Sequence, residues 1–239
     1  MGLMTSKAES LEPTPVENNP YIWAIRDPEV LDWRQGLRDN EVRTMSKQHA
    51  RLPVMIGKAS TGLFLGDAKC ARDIPRLKSL GIQCIVNVAG EASKHYDLDE
   101  DYLACDMHVL RLSAEDEEGY PMLERHLNTV RTQIKEWRAV IGAETKILVH
   151  CTAGINRSGV LVAALLMESE NMVVLEAVKH IRSRRGNCFL WNESFQEQLV
   201  AYARKLNLLG AMRLGAEHLI TCSMEKKGTK KNRLIRDLF

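Results

Sequence analysis

Apolar positions recur along this chain with two different periods, and each change of period marks an element. Short runs in which every or every second residue is apolar predict strands at Val54–Ile56, Gly62–Leu65, Cys84–Val88, Met107–Leu112 and Lys146–Val149. Between them the apolar spacing lengthens to three and four residues. A helix is predicted over Ala68–Leu80, ending at Gly81, where glycine suits a left-handed cap. Another is predicted over Met122–Val140, with Leu123, Leu127, Val130 and Ile134 on one face. After Val149 only helical spacing remains, over Arg157–Glu168, Val173–Arg184 and Asn192–Leu206. Strands alternating with helices predict an α/β fold: a central twisted mixed sheet of about five strands, flanked by helices on both faces.

The two ends have a different texture. Residues 1–50 are polar, with Pro13, Pro15 and Pro20 expected to break any early helix and one short helix expected around Pro28–Arg43. The final stretch holds Lys226, Lys227, Lys230, Lys231, Arg233 and Arg236 with few acids. The expected organisation is an N-terminal extension over 1–50, one folded α/β domain over 51–208 and a basic tail over 209–239.

Composition sharpens this picture. Of 239 residues, 45% are hydrophobic and 27% charged, enough to bury a core and too apolar for disorder throughout. No apolar run reaches the ~18 residues of a spanning helix, and the N-terminus lacks the apolar centre of a secretory signal. Lys and Arg number 33 against 31 Asp and Glu, so a uniformly basic nucleic-acid binder is excluded. That near-balance is a cancellation: residues 91–118 hold ten acids against Lys94 and Arg111, and the tail is basic. Cys70, Cys84, Cys105, Cys151, Cys188 and Cys222 form no Cys-x-x-Cys pair. Dispersed thiols suit a reducing, cytosolic setting better than a disulfide scaffold or a zinc site.

The segment richest in chemistry runs Ile-Leu-Val-His-Cys-Thr-Ala-Gly-Ile-Asn-Arg-Ser-Gly over residues 147–159 and leads into the apolar run Val160–Met167. A strand feeding a short loop and then a helix gathers loop amides and a helix N-terminus at one point, which makes an anion site. Cys151 opens the loop and Arg157 closes it, so a thiol and a guanidinium face the same anion, and Arg holds two phosphate oxygens at once. Spacing alone is weak evidence, because Cys70–Arg76 and Cys105–Arg111 share it. Only Cys151–Arg157 stands between a strand and a helix and contains Gly154 for a tight turn.

His150-Cys151-x5-Arg157-Ser158 resembles the phosphate-binding loop of the cysteine-dependent protein phosphatases. The flanking Gly62–Gly66, Gly81–Val88 and Asn192–Leu199 segments resemble the dual-specificity branch, as a small atypical member, and the similarity covers roughly residues 53–207. The resemblance implies that Cys151 attacks phosphorus and Arg157 binds phosphate with Thr152, Ala153, Gly154, Ile155 and Asn156. His150 would orient the loop, and Ser158 would ease breakdown of a cysteinyl-phosphate. Loop amides, Arg157 and the helix dipole all favour the thiolate that such attack needs. It implies phosphotyrosine and phosphoserine/threonine proteins as substrates, with no metal and no cofactor. A general acid is required for the leaving group, and the family places it on a loop about 30–40 residues before the cysteine. That loop is Ser113–Gly119, where Asp116, 35 residues before Cys151, is preferred to Glu115, Glu117, Glu118 and, last, Asp106.

Further readings follow from single residues. Asn192 suits a helix cap behind a loop, Gly186–Trp191, that flanks the site. Cys84 is either a packed core thiol, the preferred reading, or a redox partner for oxidised Cys151. Asn156-Arg157-Ser158-Gly159 resembles the loop ending of RNA 5′-triphosphatases in the same superfamily. The acidic stretch at 91–118 argues against that polyanionic substrate, and against nucleic acid generally. A loop without lysine disfavours phosphoinositides. A non-catalytic phosphoresidue-binding scaffold is the other class, disfavoured because both Cys151 and Arg157 are present. Met1-Gly2 through Ser6 fits the N-myristoylation pattern, and an acyl chain plus the basic tail would make two membrane signals. Otherwise the tail is a solvated segment or a nuclear address. The expected location is the cytoplasm, with membrane or nucleus as the alternatives.

Overall fold

Five strands form where the short apolar runs lie: β1 (Val54–Met55), β2 (Leu63–Gly66), β3 (Ile82–Asn87), β4 (His108–Arg111) and β5 (Lys146–His150). The computed structural model describes residues 19–26, 53–57, 61–90, 98–186 and 189–210. The expected helix around Pro28–Arg43, Gly2 and the basic tail lie outside the described residues. The sheet order is β1-β2-β5-β3-β4, with β1 antiparallel to β2 and every other pairing parallel. A central parallel strand is covered on both faces and has to be apolar on both. The middle strand β5 meets this condition, with Ile147, Leu148 and Val149 all at 0% exposure.

Helices α2 (Ala68–Arg72), α3 (Ile74–Leu80) and α4 (Asp99–Leu103) line one face, where Ala71, Leu77 and Tyr102 pack on Phe64, Ile85 and Leu148. The other face carries α5 (Met122–Ile141), α6 (Arg157–Glu170), α7 (Val174–Arg185) and α8 (Glu193–Lys205). Every residue of α6 from Arg157 to Met167 is buried. A helix apolar all round has to sit inside the molecule, and α6 does, touching β2, β5, α5, α7 and α8. Each fully buried Val or Leu along it contributes about 1.5–3 kcal/mol of transfer free energy. This packing holds the N-terminus of α6 against the end of β5, where the motif lies.

Two local expectations are corrected and one element is new. The single helix over Ala68–Leu80 is two helices, because Asp73 leaves the helical conformation and its carboxylate accepts the Arg76 N–H at 3.1 Å to cap α3. Pro75, with no N–H, fits in the first turn of that second helix. The C-terminal stop at Gly81 is as read from the sequence, with φ 72°. Pro20 does not break an early helix but opens one, α1 (Pro20–Arg26). Ile22 and Ile25 of α1 are buried in the main core, and the buried Arg182 donates to the Ile25 carbonyl at 3.3 Å. The short α4 has no counterpart in the apolar spacing. Its acidic sequence has an apolar anchor in Tyr102, whose hydroxyl donates to the Ala71 carbonyl at 2.7 Å.

Candidate active site

The loop between β5 and α6 takes its shape from one glycine and one buried arginine. Gly154 has φ +68°, and a Cβ there would run into the Gly66 carbonyl and the Arg185 guanidinium. Arg185, 1% exposed, donates from Nε to the Gly154 carbonyl at 3.3 Å and from Nη2 to the Ala153 carbonyl at 3.2 Å. Its charge is balanced by Asp67, whose Oδ2 lies 3.9 Å away and whose Oδ1 accepts the Cys70 N–H at 2.7 Å to cap α2. Neither role is legible in the sequence. Arg185 reads as an ordinary basic residue in the last turn of a helix, and Asp67 as an ordinary cap.

Cys151 is 1% exposed and begins the loop. The Gly154 N–H donates to its sulfur at 3.2 Å, and the Ser158 hydroxyl donates at 3.3 Å. Together with the positive end of α6, these donors stabilise negative charge on sulfur. Burial pushes the Cys70 and Cys84 thiols up to about 12, which leaves them protonated and inert. The redox pairing with Cys84 is also a matter of distance. Cys84 lies opposite Ile147 in the sheet, four residues before Cys151, or about 13 Å along the strand. The packed-thiol reading holds, and a disulfide between these two would require β3 or β5 to come apart.

Arg157 is held on three sides. Nη1 donates to the carbonyls of Ala89 (2.9 Å) and Ala114 (3.1 Å), and Nη2 to the Thr152 hydroxyl (3.0 Å). These carbonyls belong to the segments that follow β3 and β4, so the ends of three parallel strands converge on one guanidinium. The segment after β4 also carries Asp116, whose Oδ2 lies 3.7 Å from Arg157 Nε. Two side-chain amides donate to the same carboxylate: Asn156 Nδ2 to Oδ2 at 3.4 Å and Asn192 Nδ2 to Oδ1 at 3.3 Å. The loop's two ends are tied by Tyr120, whose hydroxyl donates to the Ser113 carbonyl at 3.1 Å.

The rival acids have other positions. Glu118 accepts the N–H groups of Glu193 (3.0 Å) and Ser194 (2.9 Å) at the N-terminus of α8. Glu115 and Glu117 are exposed. Asp106 precedes β4, at the edge of the sheet away from the loop. Asn192 caps α8 as read from sequence, accepting the Phe195 N–H at 3.1 Å, in addition to its contact with Asp116. His150 is 4% exposed, and burial, followed by the nearby Arg111 guanidinium, lowers its pKa to about 4. In the neutral ring Nδ1–H donates to the Cys151 carbonyl at 3.4 Å. The ring borders a cavity of about 60 Å³ shared with Arg72, Arg111 and Thr152.

A strand, a six-residue loop and a buried helix thus bring a thiol, a guanidinium and a carboxyl together. Residues 63–205 match the family model described as the dual specificity phosphatase, catalytic domain. The chain belongs to the dual specificity phosphatase family. It is 34% identical over 145 residues to dual specificity protein phosphatase 26 of Homo sapiens, covering 61% of this chain and 65% of that protein. It is 32% identical over 151 residues to dual specificity protein phosphatase 13B of Mus musculus, covering 63% and 74% respectively. The chain therefore matches a little under two thirds of the length of the first of these dual specificity phosphatases. Its fold is similar to human tyrosine phosphatase-like serine/threonine/tyrosine-interacting protein, with a TM-score of 0.53 at 24% identity over 66% of this chain and 99% of the other. It is similar also to human DUSP28, with a TM-score of 0.51 at 23% identity over 65% and 95%. Among the described residues no cluster of His, Cys, Asp or Glu is arranged to hold a metal ion.

Proposed function

We propose that this protein is a phosphoprotein phosphatase hydrolysing phosphotyrosine and phosphoserine/threonine monoesters through a cysteinyl-phosphate. One observation carries the reading: the Cys151 sulfur accepts from Gly154 N–H and Ser158 Oγ–H at the mouth of α6, under an arginine six residues on whose direction three acceptors fix. The substrate's phosphoryl group sits over the loop amides of residues 152–157 and on the Arg157 guanidinium. Sγ attacks phosphorus in line, the bond to the ester oxygen breaks, and protonated Asp116 gives its proton to that departing oxygen. Water then attacks phosphorus and the S–P bond breaks. Asp116 takes the water's proton, the Ser158 hydroxyl donates to the departing thiolate, and inorganic phosphate leaves. Arg157 and the loop amides face the three equatorial oxygens in both steps, which is electrostatic stabilisation by groups already in place.

The acids at 115–118 around the loop support a protein phosphosite over an RNA 5′-triphosphate, since they repel a polyanion. Hydrolysis of para-nitrophenyl phosphate, phosphotyrosine and phosphothreonine peptides and an RNA 5′-triphosphate, wild type beside Cys151→Ser, tests the reading. Turnover of aryl phosphate and phosphopeptide that disappears in the variant is the expected result. Equal rates in the two proteins would overturn catalysis by this cysteine, and turnover of the triphosphate alone would move the substrate to RNA. Dispersed cysteines support a reducing, cytoplasmic setting, and a phosphoprotein substrate supports a signalling role there. Acylation at Gly2 with the basic tail would add membrane contact; a Gly2→Ala variant that leaves membrane fractions is the result expected.

A further inference from the structure

Asn156 offers the phosphate its backbone amide, while its side chain bridges two other segments. Through Nδ2 it donates to Asp116 Oδ2 at 3.4 Å. Through Oδ1 it accepts two successive backbone N–H groups, from Trp191 at 2.7 Å and Asn192 at 3.1 Å. The backbone is bent to allow this. Leu190, 0% exposed, adopts φ +60°, a region an L side chain rarely enters, and its own N–H donates to the Ile155 carbonyl at 3.3 Å. The Gln196 side chain holds the Leu190 carbonyl at 2.8 Å. Asn192, placed by these bonds, then reaches Asp116 Oδ1 with its own amide.

We infer that Asn156 is the positioning residue of the general acid, acting directly and through Asn192, so that one side chain joins the phosphate loop, the acid loop and the start of α8. An amide suits this role because it donates and accepts at once. A serine hydroxyl is too short to span the three segments. The two bonds to Asp116 are long, which leaves the carboxyl free to turn toward a leaving oxygen while its loop stays in register. The inference rests on the phosphatase reading and names residues that act on its acid, not on phosphorus.

The test compares kcat/KM, which reports formation of the cysteinyl-phosphate and not its hydrolysis, on phenyl phosphate, whose leaving phenoxide needs a proton, and on para-nitrophenyl phosphate, whose leaving group needs it far less. Asn156→Ala removes the strap. Asn192→Ser keeps the cap on α8, since serine caps as well as asparagine, and removes only the reach to Asp116. Each variant is expected to lose about ten-fold more kcat/KM on phenyl phosphate than on para-nitrophenyl phosphate, a part of the 10²–10⁴ that general acids supply. In an Asp116→Asn background the same changes are expected to add no further discrimination, because positioning then has nothing to position. Equal slowing on both substrates, or an undiminished selective loss without Asp116, overturns the strap while leaving the phosphatase reading intact. Hydrolysis that does not depend on Cys151 overturns both. Thermal unfolding of each variant separates a folding defect from a positioning one, and Asn192→Ser, with its cap retained, carries the test if Asn156→Ala unfolds.

Discussion

His150 ends β5 with its ring 4% exposed and its pKa lowered to about 4, against an ordinary 6.5. The folded protein therefore prefers the neutral ring, while the unfolded chain binds a proton below about 6.5. Between these values the unfolded state holds more protons, so stability falls with acidification, by about 1.4 kcal/mol per pH unit from this residue. Urea unfolding at pH 7, 6, 5 and 4 is expected to show a slope that is shallower in His150→Asn; an identical slope in both proteins would remove the imidazole as its cause. Gly154 presents the other single-residue constraint. Gly154→Ala asks an L residue to adopt φ +68° with its methyl against the Gly66 carbonyl. A loss of about 1–3 kcal/mol in stability, together with most of the aryl phosphatase rate, is the outcome to look for. A protein of wild-type stability would mean that the loop has another conformation.

At the scale of elements, α6 matters most, because it supports the loop and belongs to the core at once. Leu161, 0% exposed, lies one turn beyond Arg157. Leu161→Ala is expected to destabilise by about 2–5 kcal/mol, whereas Val140→Ala, at a site 85% exposed on α5, should stay within about 0.5 kcal/mol. Chemical denaturation of the pair measures the contrast. The N-terminus of α8 is an element boundary with a long-range partner, since the Glu118 carboxylate accepts its first two N–H groups. Glu118→Ala is expected to cost about 0.5–1 kcal/mol and to loosen the acid loop. These element boundaries also show what the chain's local pattern conveys. The strands and α5 to α8 follow from apolar spacing to within a few residues, because each has a face or a whole circumference to bury. The break at Asp73 is different: a carboxylate turned to a neighbouring N–H decides it, and periodicity does not register such a bond.

For the molecule as a whole, the site lies where three parallel strands end and the buried helix begins. Arg157 takes the carbonyls after β3 and β4, and Arg185 takes two carbonyls of the phosphate loop, so loop and sheet are one hydrogen-bonded body. An oxyanion bound there should stabilise the entire fold. Inorganic phosphate at a hundred times its Kd is expected to add about 2.7 kcal/mol, read as a rise in Tm, and Arg157→Ala should abolish the rise. A rise that survives in that variant would put the phosphate elsewhere. The near-neutral sequence gains a layout at this scale too: Glu115, Asp116, Glu117 and Glu118 lie on the loop that brings Asp116 to Arg157, while the basic tail lies outside the described residues.

Taken alone, the order of residues determined the layered α/β fold and the loop from Cys151 to Arg157. Both are local matters, a repeat of two or of three to four apolar positions and a strand, glycine turn and helix within a dozen residues. Tertiary structure decided the rest. Asp116 and not Glu118 reaches Arg157, because Glu118 is turned to α8. Arg185 and Asp67 support the loop, and Asn156 joins three segments. Asp67 and Arg185 lie 118 residues apart in sequence and Asp116 and Asn192 lie 76 apart. Contacts over such separations leave no periodic trace in one sequence, because they arise only when the core brings the strand ends together.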